Sequence, residues 1–266
     1  MSGLGRFLEF SIRTPDILDS LGYYKLLGFT EHEIGDVWSH KYAVVSDGIL
    51  NIGLHERVFD APAISFVQQD LARRARAMTD HGFDFNFMRL DEDVFNELGL
   101  ADLDGHMVTM LEARTFTGGD EVDNDSVCGT WFELSLPVRD AVHSARFWAS
   151  VAPNVLRVRE EPTVHMRFEA GGIALGLSES IALGSPSLCF RCHDKEALIA
   201  TLERHGFPYE KFPGYEGAFV AMKAPEGTML YAFDEDFLGD LYEVEESDDL
   251  SEFPAVGAPT KGPSST

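Results

Sequence analysis

The stretch that decides the fold is Phe7-Leu8-Glu9-Phe10-Ser11-Ile12, because it returns later in the chain as Trp131-Phe132-Glu133-Leu134-Ser135-Leu136. The two stretches are 124 residues apart. The same offset relates three further positions and one tripeptide: Pro62, Phe66 and Asp70 to Pro186, Phe190 and Asp194, and His81-Gly82-Phe83 to His205-Gly206-Phe207. A single offset kept over separated blocks indicates a duplication. We predict one copy over residues 5–116, a linker over 117–128 and a second copy over 129–236.

Composition limits the partners of the chain. Its 266 residues are enough for two domains, and a hydrophobic content of 44% can supply their cores. The net charge is −24, with ten carboxylates and no Lys or Arg between Asp234 and Glu252. Nucleic acids and anionic membranes are therefore unfavourable partners, since both are bound through Lys and Arg. We expect residues 237–266 to be an acidic, disordered tail.

No signal peptide or apolar run long enough to span a membrane is visible, and three cysteines are too few for a disulfide framework. These features predict a cytoplasmic protein.

Each copy alternates strand-like and helix-like segments. Residues 7–13 alternate apolar and polar, which predicts a strand with Leu8, Phe10 and Ile12 under a helix and with Glu9 and Ser11 on the other face. A predicted helix follows over 16–27, and further strands are predicted at 40–46, 49–55, 63–67 and 106–113, with a second helix at 70–80. The second copy repeats this order. Such a pattern predicts an α+β protein in which each copy curls a sheet into a cup with the helices outside.

Several motifs carry a resemblance to a known family. They are the strand and helix start Glu9-Phe10-Ser11-Ile12-Arg13-Thr14-Pro15-Asp16, the helix end Tyr23-Tyr24-Lys25-Leu26-Leu27-Gly28-Phe29, and the turns Asp102-Leu103-Asp104-Gly105 and Ala224-Pro225-Glu226-Gly227. Together they resemble the glyoxalase, bleomycin resistance and extradiol dioxygenase superfamily, also called vicinal-oxygen-chelate proteins. The resemblance implies two tandem domains, each made of paired βαβββ modules that form a cupped sheet.

The resemblance also implies a divalent metal in the cup, but the ligand positions are not kept. Carried over one by one, they fall on Glu9, Asn51, Ala63 and Thr109 in the first copy and on Glu133, Ala174, Ser187 and Tyr231 in the second. Only one carboxylate remains in each copy, whereas a catalytic site of this kind needs about three protein ligands. We therefore expect no metal cofactor. The alternative is a divalent metal at a shifted site built from strand histidines.

The glutamates that remain suggest a second chemistry. A Glu in an apolar cup has a raised pKa and can serve as a general base, so Glu9 and Glu133 are candidate catalytic residues. Tyr231 is a candidate donor to an oxyanion. The competing interpretation, which we favour, is that each Glu is structural and bonded to its neighbours. The predicted ligand-binding residues of the cups are Ser11, Met107, Thr109, Ser135, Met229 and Phe233.

Four functions follow from these observations. The first hypothesis is a metal-independent protein that binds a small apolar or cationic molecule, as the bleomycin-sequestering members do. The second is a metalloenzyme of the family, a lyase, isomerase or extradiol-type dioxygenase. The third is a metal-free acid–base enzyme, and the fourth is a scaffold whose acidic tail recruits a basic partner. We expect a monomer or a homodimer.

Overall fold

The computed structural model describes residues 3–33, 40–91, 96–113, 126–152, 154–160, 163–180, 183–212 and 217–237. Most of the predicted linker and nearly all of the predicted acidic tail lie outside the described residues, so their predicted character stays a prediction.

The first copy contains eight strands and two helices. In chain order they are β1 (Arg6–Arg13), α1 (Ile17–Leu26), β2 (Thr30–His32), β3 (Tyr42–Ser46), β4 (Asn51–His55), β5 (Ala63–Gln68), α2 (Leu71–Asp80), β6 (Phe87–Arg89), β7 (Glu97–Ala101) and β8 (Met107–Glu112).

The second copy has the same order of elements. They are β9 (Thr130–Pro137), α3 (Ala141–Val151), β10 (Asn154–Arg159), β11 (His165–Ala170), β12 (Ile173–Ser178), β13 (Ser187–Cys192), α4 (Lys195–His205), β14 (Tyr209–Glu210), β15 (Phe219–Lys223) and β16 (Met229–Asp234).

Each copy forms one eight-stranded sheet with an equivalent strand order, β2-β3-β4-β1-β5-β8-β7-β6 in the first and β10-β11-β12-β9-β13-β16-β15-β14 in the second. The strand that decided the sequence analysis lies at the centre, where β1 runs parallel to β4 and antiparallel to β5. The α+β fold of two cupped sheets is confirmed. Six strands of the structure were not predicted: β2, β6, β7, β10, β14 and β15.

A β-bulge changes which face of β1 is buried in the core. The register with β5 shifts between Phe7 and Glu9, so Phe7, Phe10 and Ile12 lie in the hydrophobic core. Leu8 is only half-buried and lies outside that core, so its predicted place under the helix was wrong. A bulge inserts one extra residue into the strand, so alternation of apolar and polar residues no longer predicts which face a side chain is on. The same bulge recurs in β9, opposite Cys189 and Phe190.

The two copies contact each other reciprocally. From α1, Ser20 Oγ and Tyr24 Oη donate to the two carboxylate oxygens of Glu226 in the second copy, at 2.8 and 2.7 Å. From α3, the equivalent Ser144 and Trp148 donate to Asp104 and Asp102 of the first copy. Each family-like turn thus accepts hydrogen bonds from side chains of the first helix of the other copy.

One hydrophobic core includes residues from both copies, among them Tyr24, Phe66, Trp148 and Phe190. Neither copy covers the apolar side of its own sheet alone, so the two copies pack against each other. This packing brings each turn into contact with the helix of the other copy. Among the described residues, no helix is long and apolar enough to cross a membrane.

Candidate functional site

The first cup is the face of the first sheet that carries Glu9, opposite the apolar core. Glu9 is only 3% exposed. Its Oε1 accepts hydrogen bonds from Ser11 Oγ at 2.7 Å and from His55 Nε2 at 2.9 Å, and its Oε2 accepts from the hydroxyl of Tyr42. Burial, followed by the charge of Glu9, raises the pKa of Tyr42, so this phenol keeps its proton. Both oxygens of the Glu9 carboxylate are therefore hydrogen-bonded within the protein.

A row of hydroxyls extends from Glu9 across the first cup. Ser11 Oγ lies 2.7 Å from Ser65 Oγ, and Ser65 Oγ lies 2.7 Å from Thr109 Oγ1. Because each hydroxyl has one proton and Ser11 gives its proton to Glu9, Ser65 must donate to Ser11 and Thr109 to Ser65. On the other side, His40 Nε2 lies 3.0 Å from His55 Nδ1, which is free to accept once Nε2 donates to Glu9.

Glycines make room for the packing of the first cup. A Cβ on Gly53 would lie 2.2 Å from the Glu9 carboxyl carbon, and one on Gly99 would lie 2.2 Å from the Phe87 ring. The carboxylate and the ring therefore rest directly on strand backbone. A glycine inside a strand is a recognisable signal of such close approach, and Gly53 has a counterpart in Gly176.

The second cup keeps the glutamate but changes its partners. Glu133 is also 3% exposed, and its Oε1 accepts from His165 Nε2 at 2.8 Å over Gly176. Its Oε2 lies 3.5 Å from Arg167 Nε but has no hydrogen-bond partner among the described residues. Ser135, the counterpart of Ser11, is 1% exposed, and its hydroxyl likewise has no hydrogen-bond partner there. The polar floor of this cup is therefore left incomplete by the described protein atoms.

An aromatic wall, defined as Phe219, Tyr231 and Phe233, lines one side of the second cup. Its ring centroids lie 5.8 Å apart for Phe219 and Tyr231, 5.4 Å for Phe219 and Phe233, and 6.1 Å for Tyr231 and Phe233. The wall packs with Phe132, Cys189 and Met229 in a cluster separate from the main core. Burial, then the nearby Cys189 and Glu210, raises the pKa of Tyr231, which keeps its hydroxyl protonated at neutral pH.

The predicted site residues are divided between the cups. Glu9, Ser11 and Thr109 meet in the first cup through Ser65, which the sequence analysis missed, while Met107 is buried on the same strand as Thr109. In the second cup the predicted residues form two groups, namely Glu133 and Ser135 on β9, and Met229, Tyr231 and Phe233 on β16. The residue between them on β13 is Cys189, which pairs with both Glu133 and Tyr231.

Of the residues that surround the glutamates, Tyr42 was missed, whereas His55 and His165 are among the strand histidines of the sequence analysis, where a hydrogen-bonded structural role is the default. Tyr42 and His165 occupy equivalent positions on neighbouring strands, as the pairing of each strand with β4 or β12 shows. As the first residue of β3, Tyr42 gave no distinguishing signal, because its partner Glu9 is far away in sequence. The only available signal was the strand glycine opposite, which leaves space for a side chain from β1 or β9.

The donor sets of both cups do not fit the divalent metal that the resemblance implies. Across β1, β5 and β8 the aligned residues are Glu9, Ser65 and Thr109, and across β9, β13 and β16 they are Glu133, Cys189 and Tyr231. Each row has one carboxylate, and burial raises the pKa of the Cys189 thiol well above its usual range, which disfavours the thiolate that a metal site would need. In the described part of the chain, no group of three or more His, Cys, Asp or Glu residues is placed to hold a metal.

A surface groove of about 690 Å³ lies elsewhere, between α2 and β6, with Ala75, Thr79 and Met88 in its lining. It is on the helix side of the sheet and includes none of the buried ionisable residues described above. We therefore take the cups, where buried polar groups converge, as the candidate site.

Comparison with known proteins gives the fold a name. No family model and no curated protein matches the sequence. Among solved structures, a catechol 2,3-dioxygenase is similar with a TM-score of 0.55 and 12% identity, over 88% of this chain and 89% of that one. Homoprotocatechuate 2,3-dioxygenase from Arthrobacter globiformis is similar with a TM-score of 0.56 and 13% identity, over 87% and 80%.

A third similar structure is 2,2',3-trihydroxybiphenyl 1,2-dioxygenase from Sphingomonas wittichii strain RW1, with a TM-score of 0.51 and 17% identity over 88% of this chain and 90% of that one. At such identities the likeness concerns the fold and leaves the reaction open. The duplicated cupped sheets and these neighbours together show that the chain has the tandem vicinal-oxygen-chelate fold of the extradiol dioxygenases.

Proposed function

We propose that this protein binds a small organic molecule in the second cup without the help of a metal. The observation that carries the proposal is the buried hydroxyl of Ser135, which has no hydrogen-bond partner among the described residues, as is also true of Oε2 of Glu133, two residues away on β9. An unpaired buried polar group costs about 1–3 kcal/mol. A ligand with a polar group would remove that cost, and the aromatic wall would bind its apolar part.

In the described part of the chain no donor set fits a metal, which also supports binding without one. A protein of this kind is stabilised by its ligand and is indifferent to chelators. The similar structures are dioxygenases by name, but the divalent metal that the resemblance implies does not suit rows whose other members are Ser, Thr, Cys and Tyr.

The test is a thermal-shift screen of small aromatic compounds with and without EDTA. A ligand at one hundred times its Kd adds about 2.7 kcal/mol of stability. We expect a hit to lose its effect in Ser135→Ala and Tyr231→Thr, and to keep it in the first-cup control Thr109→Val. A hit that depends on Thr109 would place the ligand in the first cup. Stoichiometric retention of Mn, Fe, Co, Ni or Zn, measured by elemental mass spectrometry, would contradict the metal-free proposal.

A second candidate function is acid–base catalysis at Glu133, which is favoured by its buried hydrogen bond from His165 at 2.8 Å. His165 orients the carboxylate, and Oε2 is left for a proton on a bound molecule. Incubating a confirmed ligand with the protein and analysing it by mass spectrometry separates the candidates. A converted ligand whose turnover disappears in Glu133→Gln supports catalysis, whereas an unchanged ligand supports binding alone.

A further inference from the structure

Two arginines stand at the wall of the second cup. The guanidinium carbon of Arg167, from β11, lies 4.4 Å from the centroid of the Phe132 ring, and that of Arg191, from β13, lies 5.9 Å from the same centroid. Phe132 faces the cup because it is the bulge residue of β9. The two cations are therefore gathered around one ring at the edge of the proposed ligand site.

At the two equivalent positions of the first cup, both within the described residues, there is no cation. Arg167 pairs with Gly176 on β12, and its counterpart opposite Gly53 is Val44. Arg191 pairs with Phe233, and its counterpart on β5 is Val67, which pairs with Leu111. The duplicated sheet accepts valine at both positions, so neither arginine is required by the fold.

The two arginines differ in the polar contacts that they make within the protein. Arg167 is held in place, because its Nη2 donates to the carbonyl oxygen of Phe132 at 2.6 Å and its Nε lies 3.5 Å from Glu133. Arg191 takes part in none of the ion pairs within 4.0 Å among the described residues, and its buried Nε has no hydrogen-bond partner there. A guanidinium with an unpaired, buried N–H is a donor suited to an anionic oxygen.

The aromatic wall continues directly from Arg191. On β13 and β16 the paired residues facing the cup are Cys189 with Tyr231, followed by Arg191 with Phe233. Arg191 and Phe233 are thus neighbours on the cup face of the sheet, so the aromatic wall and the arginine are adjacent.

We propose that the second cup takes a planar aromatic carboxylate, with its ring on the aromatic wall and its carboxylate on Arg191 beside Arg167. This inference rests on the proposed function and specifies its ligand. The net charge of −24 favours a cationic ligand when only the sequence is considered. Charges farther away than about 10 Å are screened by salt, however, so nearby donors decide the sign of the ligand at a partly dehydrated site.

The experiment compares three ligands of one shape by isothermal titration calorimetry: naphthoate, the neutral naphthamide and the cationic naphthylmethylammonium. We expect naphthoate to bind at least about tenfold more tightly than naphthamide, and its Kd to rise with NaCl. In Arg191→Val the preference disappears, and in Arg191→Lys part of it returns. The control Arg73→Ala, which removes an equal charge from an exposed position on α2, keeps the preference.

The outcomes separate the inference from the proposed function. Equal binding of naphthoate and naphthamide, or a preference that survives in Arg191→Val, overturns the anionic ligand class and leaves small-molecule binding intact. Tighter binding of the cation also overturns it. If none of the three ligands binds at millimolar concentration while the protein is folded, the aromatic site fails together with the carboxylate.

Discussion

The first and second cups carry the same Glu and Ser on the central strand, but the hydrogen bonding of these two residues differs between the cups. In the first, Tyr42, His55 and Ser11 saturate Glu9, and the row of hydroxyls continues to Thr109. In the second, Cys189 replaces Ser65, so the row is interrupted and Ser135 is left without a partner in the described structure.

This difference teaches that a shared residue does not imply a shared role after duplication. The first cup satisfies its polar groups internally, which stabilises the fold. The second leaves polar groups unpaired next to an aromatic wall and two arginines, a combination that costs stability and is typical of a binding site.

The glutamates themselves offer the largest test of the comparison. Glu9→Gln puts an amide N–H group among the three side chains that donate to Glu9, so that donors face each other. We therefore expect a loss of about 3 kcal/mol in the free energy of unfolding. Glu133→Gln disturbs one hydrogen bond and a longer ion pair, and we expect about half of that loss. Urea unfolding monitored by circular dichroism measures both. The exposed Glu31→Gln is the control, with less than about 0.5 kcal/mol expected.

A larger loss for Glu133→Gln than for Glu9→Gln would contradict the view that the first cup is the structural one. Equal losses would mean that the extra donors around Glu9 contribute nothing.

The strand glycines test a feature that the two cups share. Gly53→Ala and Gly176→Ala each place a methyl group within 2.2 Å of a buried carboxylate, so both are expected to lose about 2 kcal/mol. Gly22→Ala is the matched control, since a Cβ there meets no heavy atom within 4 Å and α1 gains a better helix former, by about 0.5–1 kcal/mol. Thermal unfolding of the three variants is the measurement, and an unchanged Tm in Gly53→Ala would show that Glu9 moves aside freely.

The two turns that contact the other copy differ in sequence, so we expect their contacts to respond differently to acid. Asp102 accepts a hydrogen bond from Trp148 of the second copy, whereas its counterpart in the other turn is Ala224. Burial raises the pKa of Asp102, but the hydrogen bond and charge of His106 and two backbone N–H donors outweigh it, so the pKa is lowered. A carboxyl with a lowered pKa stabilises the fold above its unfolded value, and this contribution is lost as the pH falls through its folded value.

We therefore expect Asp102→Asn to cost about 1.5 kcal/mol at pH 7, and to cost progressively less as the pH is lowered below about 4. Urea unfolding of both proteins between pH 3 and 7 gives the difference at each pH. A difference that does not change with pH would mean that folding leaves the pKa of Asp102 unchanged.

The serines give the smallest effect and the clearest contrast in sign. Ser11→Ala removes a donor from Glu9 and an acceptor from Ser65, so we expect a loss of about 1 kcal/mol. Ser135→Ala removes a hydroxyl that has no partner, so we expect no loss or a small gain in stability. Differential scanning calorimetry of the two variants decides, and similar losses would indicate that Ser135 is hydrogen-bonded after all.

Much of the fold could be predicted from the sequence because the repeat supplied it twice. The offset that links Glu9 to Glu133 also located the central strands, and alternation located β3, β4, β11 and β12. The edge strands β2 and β6 have three residues each, too few for alternation to show, and the bulge at Leu8 breaks the pattern on which the prediction relied.

The candidate site was only partly predictable. The row positions Thr109 and Tyr231 followed from the resemblance, but Ser65 and Cys189 lie two residues beyond the predicted Ala63 and Ser187. Register between strands depends on the bulge and on side-chain packing, neither of which is written in local sequence.

By itself the sequence determined that the chain is a duplication, that each copy has a helix-covered sheet with an inward Glu and Ser, and that the ligand positions of a metal are not kept. These properties depend on local periodicity and on residue identity. Only the tertiary structure decided that Glu9 is saturated while Ser135 is not, and that Arg167 and Arg191 meet at Phe132. Those facts depend on which side chains from distant strands come within hydrogen-bonding distance, and that is set by register, by the bulges and by the space left at Gly53 and Gly176.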